Sequence, residues 1–144
     1  MTIALAAAGS SKLALEGSEG SDYQPGVCNI GPAEIARRRR TGHIGVALTG
    51  LLFLVLVALN APPLARFIVA LPAAVAAAGY IQAALKFCIA FGSAGVFNFG
   101  AHGTTDKVED REARARDRAR AMQLGAACGL VGLTVGVIAV LLPV

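Results

Sequence analysis

The chain of 144 residues is strongly apolar, since 56% of its residues are hydrophobic and only 15% are charged. An ordinary soluble domain carries about 25% charged residues, so this composition argues against one. The net charge of +4 does not indicate nucleic acid, because the basic residues lie in blocks beside long apolar runs, as juxtamembrane residues do. Tryptophan is absent and aromatic residues are few, so we expect no nucleic-acid partner.

The chain begins with an arm of mixed composition that leads into a helix. Residues 1–27 mix Ala, Gly, Ser and scattered charges without a helical or strand period, which predicts a disordered arm. Gly31 and Pro32 then suit the N-cap and first position of a helix, and Glu34 lies near its positive end. This helix carries four consecutive arginines, and we predict that it lies on the membrane surface as a short basic interfacial helix.

Three apolar segments are long enough, or nearly so, to cross a bilayer core, which needs about 20 residues. They are residues 43–60, 64–85 and 122–144. Pro62 and Pro63 separate the first two and cannot continue a helix interior, so these segments form a tight hairpin. We predict an all-α integral membrane protein, with a transmembrane helical hairpin and a third transmembrane helix.

Two further segments connect the hairpin to the third helix. Residues 87–100 are apolar but too short to span, which predicts an interfacial or re-entrant piece or a continuation of the second helix. Residues 101–121 alternate acids and bases, with acid-before-base pairs four residues apart that favour a charged linker helix, either separate from the third span or continuous with it. The predicted units are therefore the arm (1–27), the hairpin with its basic helix (28–100), the linker (101–121) and the third span (122–144).

The distribution of lysine and arginine predicts an orientation. All but one of the 13 basic residues fall on one side of this three-span arrangement, and Arg66 is the exception. By the positive-inside rule the crowded side is cytoplasmic, which puts the N-terminus inside and the C-terminus outside. A fourth span over residues 87–100 would put the charged linker and the arginine block on opposite sides, so the count disfavours it.

Glycines recur along the third span at steps of four, three and four, at Gly125, Gly129, Gly132 and Gly136. They share one helix face and form two overlapping G-x-x-x-G pairs, which favour the close approach of another backbone. That backbone belongs either to the hairpin of the same chain or to a second subunit. The motif alone does not choose between ordinary packing within the chain and association with another chain.

Cys28 and Cys88 are candidates for a redox or sulfur-carrying thiol pair, because the topology places both near the cytoplasmic face. Nearby arginines and a helix N-terminus favour the thiolate form of a cysteine in general. The plainer interpretation is that Cys88 and Cys128 are buried small hydrophobes and Cys28 has no role. His43 and His102 lie outside any ligand-spacing motif, so we predict no metal site, no cofactor and no catalytic residue.

The arginine block is a candidate site for anionic lipid, in addition to its part in setting the topology. Its members are Arg37, Arg38, Arg39 and Arg40. Charged residues are missing from the middle of every predicted span, which weighs against a pump or an ion-coupled transporter. We therefore expect the lipid bilayer, with its anionic lipids, to be a partner of the chain.

Residues 28–100 carry a pattern of small and polar residues around the hairpin. Its elements are Asn29-Ile30-Gly31, the arginine-bearing helix leading through Gly42 into a span, the hairpin turn, and then Gly79, Phe87-Cys88, Gly92 and Gly95. This pattern resembles a family of small bacterial inner-membrane helical hairpins of unknown function, whose members occur alone or fused to a membrane rhodanese. The resemblance implies a membrane hairpin that self-associates and works beside sulfur-transfer chemistry, and it identifies no catalytic residue.

These observations together predict a small non-catalytic protein of the bacterial inner membrane rather than an enzyme. It would act as an auxiliary or scaffolding subunit that forms a homo-oligomer or docks to a larger membrane complex. The alternative function is a thiol-based sulfur or redox relay at the cytoplasmic face, using Cys28 and Cys88. A small transporter is a third possibility, for which the spans supply few polar residues.

Overall fold

The computed structural model describes residues 23–101 and 104–144. The described chain consists mainly of helices, with one small two-stranded sheet. In chain order the elements are α1 (Pro32–Ala58), a 3₁₀ helix (Pro63–Val69), α2 (Ala70–Leu85), α3 (Ile89–Ala94), β1 (Val96–Phe97), β2 (Asp106–Lys107) and α4 (Arg111–Leu141). We call the end of the bundle that carries Arg37–Arg40 the basic end, and the end with the Pro62-Pro63 turn the proline end.

Three helical segments are long and apolar enough to cross a membrane, which confirms that part of the prediction. They are α1, the continuous stretch Pro63–Leu85, and α4. Their apolar side chains largely face outward: only 11% of the most apolar window of α1 is buried within the protein. An exposed apolar surface of this extent belongs in lipid rather than in water. The chain is therefore a multi-pass membrane protein by the length and composition of its helices.

The arginine block is not a separate surface helix, which differs from the prediction. It forms the first turns of α1, because no proline interrupts the 27 residues from Pro32 to Ala58. At about 1.5 Å per residue such a helix is about 40 Å long, which exceeds the hydrocarbon core of about 30 Å. The arginines can therefore stand outside the core while the same helix crosses it.

The charged linker also differs from the prediction of a helix over residues 101–121. Residues 106 and 107 form β2, and the helix begins only at Arg111, where it runs without a break into the third span. Asp110 sets this start, since its carboxylate accepts hydrogen bonds from the backbone N–H groups of Glu112 and Ala113. This is an N-cap, which satisfies donors that a helix start otherwise leaves unpaired.

Most of the predicted disordered arm, residues 1–22, lies outside the described residues. Its last part, residues 23–27, is described and leads into a turn closed by hydrogen bonds between Gln24 and Cys28. Residues 87–100 do not form a span. They contain the short helix α3 and the strand β1, which pairs antiparallel with β2.

The hairpin is held together where small residues let α1 and α2 touch. A β-carbon on Gly45 would lie 2.7 Å from the Cα of Ala76, and one on Gly79 would overlap the backbone of Gly42. Neither space is large enough for a side chain. Association of helices in lipid depends on this kind of close packing, because apolar side chains gain little by leaving the hydrocarbon.

The third span packs on the hairpin through half of its glycine stripe. A β-carbon on Gly132 would lie 2.6 Å from the carbonyl oxygen of Ala70, and one on Gly136 would lie 2.9 Å from the Cβ of Ala70. At Gly125 and Gly129 the equivalent position has no neighbour within 4 Å. The structure therefore divides the stripe into a packed half within the chain and an open half.

Arg66 fastens α4 to the hairpin at the proline end. The residue is buried, and its guanidinium donates hydrogen bonds to the carbonyl oxygens of Leu142 at 3.2 Å and Val144 at 2.6 Å. These carbonyls follow the C-terminal end of α4, where the helix dipole is negative and a cation is favourable.

The helix contact in the hairpin predicts a difference between two Gly→Ala substitutions on α1. Gly45→Ala forces a methyl group against Ala76 and should destabilise the protein by about 1–3 kcal/mol, as overpacking does. Gly50→Ala adds the same methyl group where nothing lies within 4 Å, so it should be neutral or slightly stabilising. Thermal unfolding in mild detergent measures both, and an equal effect of the two would contradict the packing.

Candidate functional site at the basic end

The chain segments at the basic end are joined by the side chain of Asn29. This side chain is fully buried, and its amide oxygen accepts a hydrogen bond from the backbone N–H of Cys88 at 2.6 Å. Its amide nitrogen donates to the carbonyl oxygen of Cys88 at 3.1 Å. The backbone N–H of Asn29 also donates to the carbonyl oxygen of Lys86. The segment before α1 is thus fixed to the turn after α2.

This turn exists because α2 ends sharply. Lys86 adopts a left-handed conformation, with φ of 53°, and stops the helix. Gln82 then supports the next residues, since its side-chain oxygen accepts from the backbone N–H of Ile89 at 2.9 Å. The turn directs Phe87 inward, where it packs against Ala121 and Leu124 of α4. Polar backbone groups and an apolar ring are therefore buried side by side.

The sulfur of Cys88 lies in a charged environment closed to solvent. Cys88 is fully buried, and the Nη2 atom of Arg38 lies 3.0 Å from its Sγ atom. The same Nη2 atom is 3.7 Å from the Oε2 atom of Glu34, and the Oε1 atom of Glu34 forms an ion pair with Arg37 at 3.7 Å. Glu34 is itself only 2% exposed. The arrangement is a short row of acid, guanidinium and thiol.

Cys28 has different surroundings. Its thiol is partly exposed and is 3.8 Å from the carbonyl oxygen of Ile30, a weak contact. It lines an open groove of about 450 Å³, to which Lys86 and Phe99 also contribute. Both cysteines are free thiols. The structure brings the two segments together through Asn29, but it leaves one thiol accessible and encloses the other.

Sequence reasoning missed a second connection at this end, which links the arm to α4. Asp117 is fully buried, and its carboxylate accepts hydrogen bonds from the hydroxyl of Tyr23 and the backbone N–H of Gly26, each at 2.7 Å. Burial raises the pKa of the Tyr23 hydroxyl well above its usual range, and the hydrogen bond to Asp117 adds to this effect. A signal was present in the sequence, because Ala113 and Ala121 lie four residues to either side of Asp117 and mark a buried face.

The remaining candidate residues lie in several places. The side chain of His43 contacts the hydroxyl of Tyr80 at 2.6 Å, while His102 lies outside the described residues. Within residues 23–101 and 104–144, the side chains form no group of three or more potential metal ligands. Cys128 is buried within the span formed by α4.

The different exposure of the two thiols predicts different reaction rates. In the folded protein, Cys28 should react with a maleimide at least about tenfold faster than Cys88, because Cys88 becomes accessible only when the basic end opens. Cys28→Ser and Cys88→Ser variants assign the labelled site by mass spectrometry. Equal rates for the two thiols would contradict the enclosed position of Cys88.

The clamp formed by Asn29 predicts that Asn29→Ala loosens the basic end. This change leaves the buried N–H of Cys88 without a partner, which costs about 1–3 kcal/mol, while the C=O of Cys88 keeps the hydrogen bond from the backbone N–H of Gly92. Labelling of Cys88 should accelerate accordingly. Gln24→Ala removes an exposed amide from the same end and should leave the labelling rate unchanged. If both variants label alike, Asn29 is not the clamp.

Comparison of the chain with protein-family models, with curated proteins and with solved structures found no match. The resemblance of residues 28–100 to the inner-membrane hairpin family stays a prediction from the residues.

Proposed function

We propose that the protein is a non-catalytic auxiliary subunit of the bacterial inner membrane that self-associates through the open half of the α4 glycine stripe. The main support is that Gly125 and Gly129 have no neighbour within 4 Å of the position that a β-carbon would occupy. Glycine in a helix interior costs about 1 kcal/mol relative to alanine. Within one chain, no close helix contact at Gly125 or Gly129 offsets this cost.

The surface around these glycines suits a second helix. Met122 and Leu133 lie on the same face and are 68% and 49% exposed. The face therefore offers large apolar side chains on either side of a G-x-x-x-G depression, the arrangement that lets two transmembrane backbones approach closely. The packed half of the stripe already shows this mode of contact between α4 and α2. A second copy of the chain is the partner we favour, and a subunit of a larger membrane complex is the other candidate.

The proposed orientation places the basic end in the cytoplasm. The arginines of α1 and those in the first turns of α4 lie at this end, and Arg66 lies at the other. The positive-inside rule supports this orientation.

The test compares glycine substitutions that differ only in their place on the surface. Gly125→Leu and Gly129→Leu should convert the oligomer to monomer, because each leucine fills the depression that a second helix would occupy. Gly50→Leu adds the same side chain to α1, where nothing lies within 4 Å, and should leave the oligomer intact. Cross-linking in native membranes and mass measurement in mild detergent report the state.

Two outcomes would overturn the proposal. One is a wild-type chain that is strictly monomeric in mild detergent and forms no cross-link to itself or to another protein in membranes. The other is an oligomer that survives both Gly125→Leu and Gly129→Leu.

A thiol relay is the second candidate, and the contact between Arg38 and the sulfur of Cys88 favours it. A guanidinium beside a sulfur is typical of reactive cysteines. The complete burial of Cys88 weighs against it, since a relay must exchange its sulfur with a partner. Slow labelling of both cysteines that does not change with pH would reject the relay.

A further inference from the structure

The arginine block divides into residues with different surroundings. Arg38 points into the protein toward Glu34 and Cys88, and its side chain is only 20% exposed, whereas the side chain of Arg37 is 64% exposed. Arg37 and Arg40 lie one turn apart on the outer face of α1. Together with Ala33 and Ala36 they line a recess of about 390 Å³.

An apolar recess follows on the same side of α1, along its seam with α2. Its volume is about 370 Å³. Its lining residues are Thr41, Ile44, Gly45, Leu48, Leu71, Pro72 and Val75. Ile44 lies seven residues after Arg37 and four after Arg40, so these side chains share one helix face. The apolar recess thus begins next to the arginines, at Thr41 and Ile44.

A third recess, also of about 370 Å³, continues toward the proline end. It shares Leu48 and Pro72 with the second recess and extends to Leu51 and Val55. The glycine contacts hold α1 and α2 together near Gly42 and Gly45. Beyond these contacts the seam opens to the outside as a shallow track.

The dimensions match one leaflet of a membrane. The distance from Arg40 to Val55 along α1 is about 22 Å at 1.5 Å per residue, and half of a bilayer, including its headgroup region, is about 20–22 Å. A cationic recess at one end and an apolar track of this length correspond to the headgroup and one acyl chain of a phospholipid. The residues that line the three recesses include two arginines and no acid. Glu34 pairs with Arg37 and Arg38, but the four arginines of the block outweigh this one carboxylate, so the charge is complementary to an anionic headgroup.

We propose that this surface, the lipid groove formed by Arg37, Arg40, Ile44, Leu48, Pro72 and Val75, binds one anionic glycerophospholipid. The phosphate lies between the guanidinium groups of Arg37 and Arg40, which suit the geometry of phosphate oxygens. One acyl chain follows the seam of α1 and α2. The groove is separate from the open glycines of α4, because α4 packs on the Ala70 and Ala74 side of α2.

The first experiment measures headgroup selectivity on the full chain. Purified protein in mild detergent is stripped of lipid and titrated with dioleoyl phosphatidylglycerol or dioleoyl phosphatidylcholine, and bound lipid is counted by native mass spectrometry. The wild-type chain should retain one phosphatidylglycerol and bind phosphatidylcholine at least about fivefold more weakly. Equal retention of the two lipids would overturn the proposal.

The second experiment separates the groove from general charge at the basic end. Arg37→Gln/Arg40→Gln should weaken phosphatidylglycerol binding about tenfold or more. Arg39→Gln/Lys107→Gln removes the same charge from exposed positions that line none of the recesses, and should change binding by less than about twofold. A similar loss of phosphatidylglycerol binding in both double variants would show that only the total charge matters and would contradict a specific site at Arg37 and Arg40.

The third experiment tests the apolar track and distinguishes a lipid from a free phosphate. Val75→Phe keeps both arginines but fills the second recess, and should lower phosphatidylglycerol retention several-fold. Ile68→Phe places the same ring on another exposed position and should have no effect. Unchanged retention in Val75→Phe, together with full displacement of the lipid by inorganic phosphate, would show a phosphate site without a lipid track. Circular dichroism and thermal midpoints confirm that each variant compared is folded.

Discussion

The backbone contact between α1 and α2 at Gly42, Gly45 and Gly79 determines the rest of this structure. Lipid supplies little driving force for apolar side chains to associate, so two helices stay together only where their surfaces fit closely. This contact places Arg38, one turn before Gly42, beside the turn that follows α2. It also leaves the seam beyond Gly45 open on one side, which produces the proposed lipid groove. One set of small residues thus positions both the enclosed thiol and the groove.

The two ends of the bundle are closed by different chemistry. At the basic end, Asn29 and Asp117 are fully buried and use their side chains to pair backbone groups from segments distant in the sequence. At the proline end, the guanidinium of Arg66 holds the carbonyls that follow α4. A buried polar group left without a partner costs free energy, so these pairings fix which segments can meet. In the lipid-facing middle of the bundle, the described helices are held together by close contacts at glycine residues rather than by such polar side chains.

The sequence predicts the spans well, because runs of apolar residues and the Pro62-Pro63 break are local signals. It leaves open whether α1 and α4 each join a charged segment to a span, since the absence of a helix breaker permits one continuous helix but does not require it. The role of Asn29 depends on a partner 59 residues away, and no local pattern reveals such a pairing. The glycine stripe of α4 is visible in the sequence, but its division into a packed and an open half depends on which part of α4 the hairpin contacts. The self-association, the orientation and the thiol chemistry stay predictions.

If three helices cross the bilayer, the basic end and the proline end lie on opposite sides of it. Labelling of single cysteines tests this arrangement directly. Cys28, Cys88 and Cys128 are first changed to serine, and one new cysteine is then introduced, by Glu109→Cys in one variant and by Leu64→Cys in another. A membrane-impermeant thiol reagent added to intact cells should label the cysteine at position 64, and should label the one at position 109 only after the membrane is opened. Labelling of both positions from the same side would contradict the account.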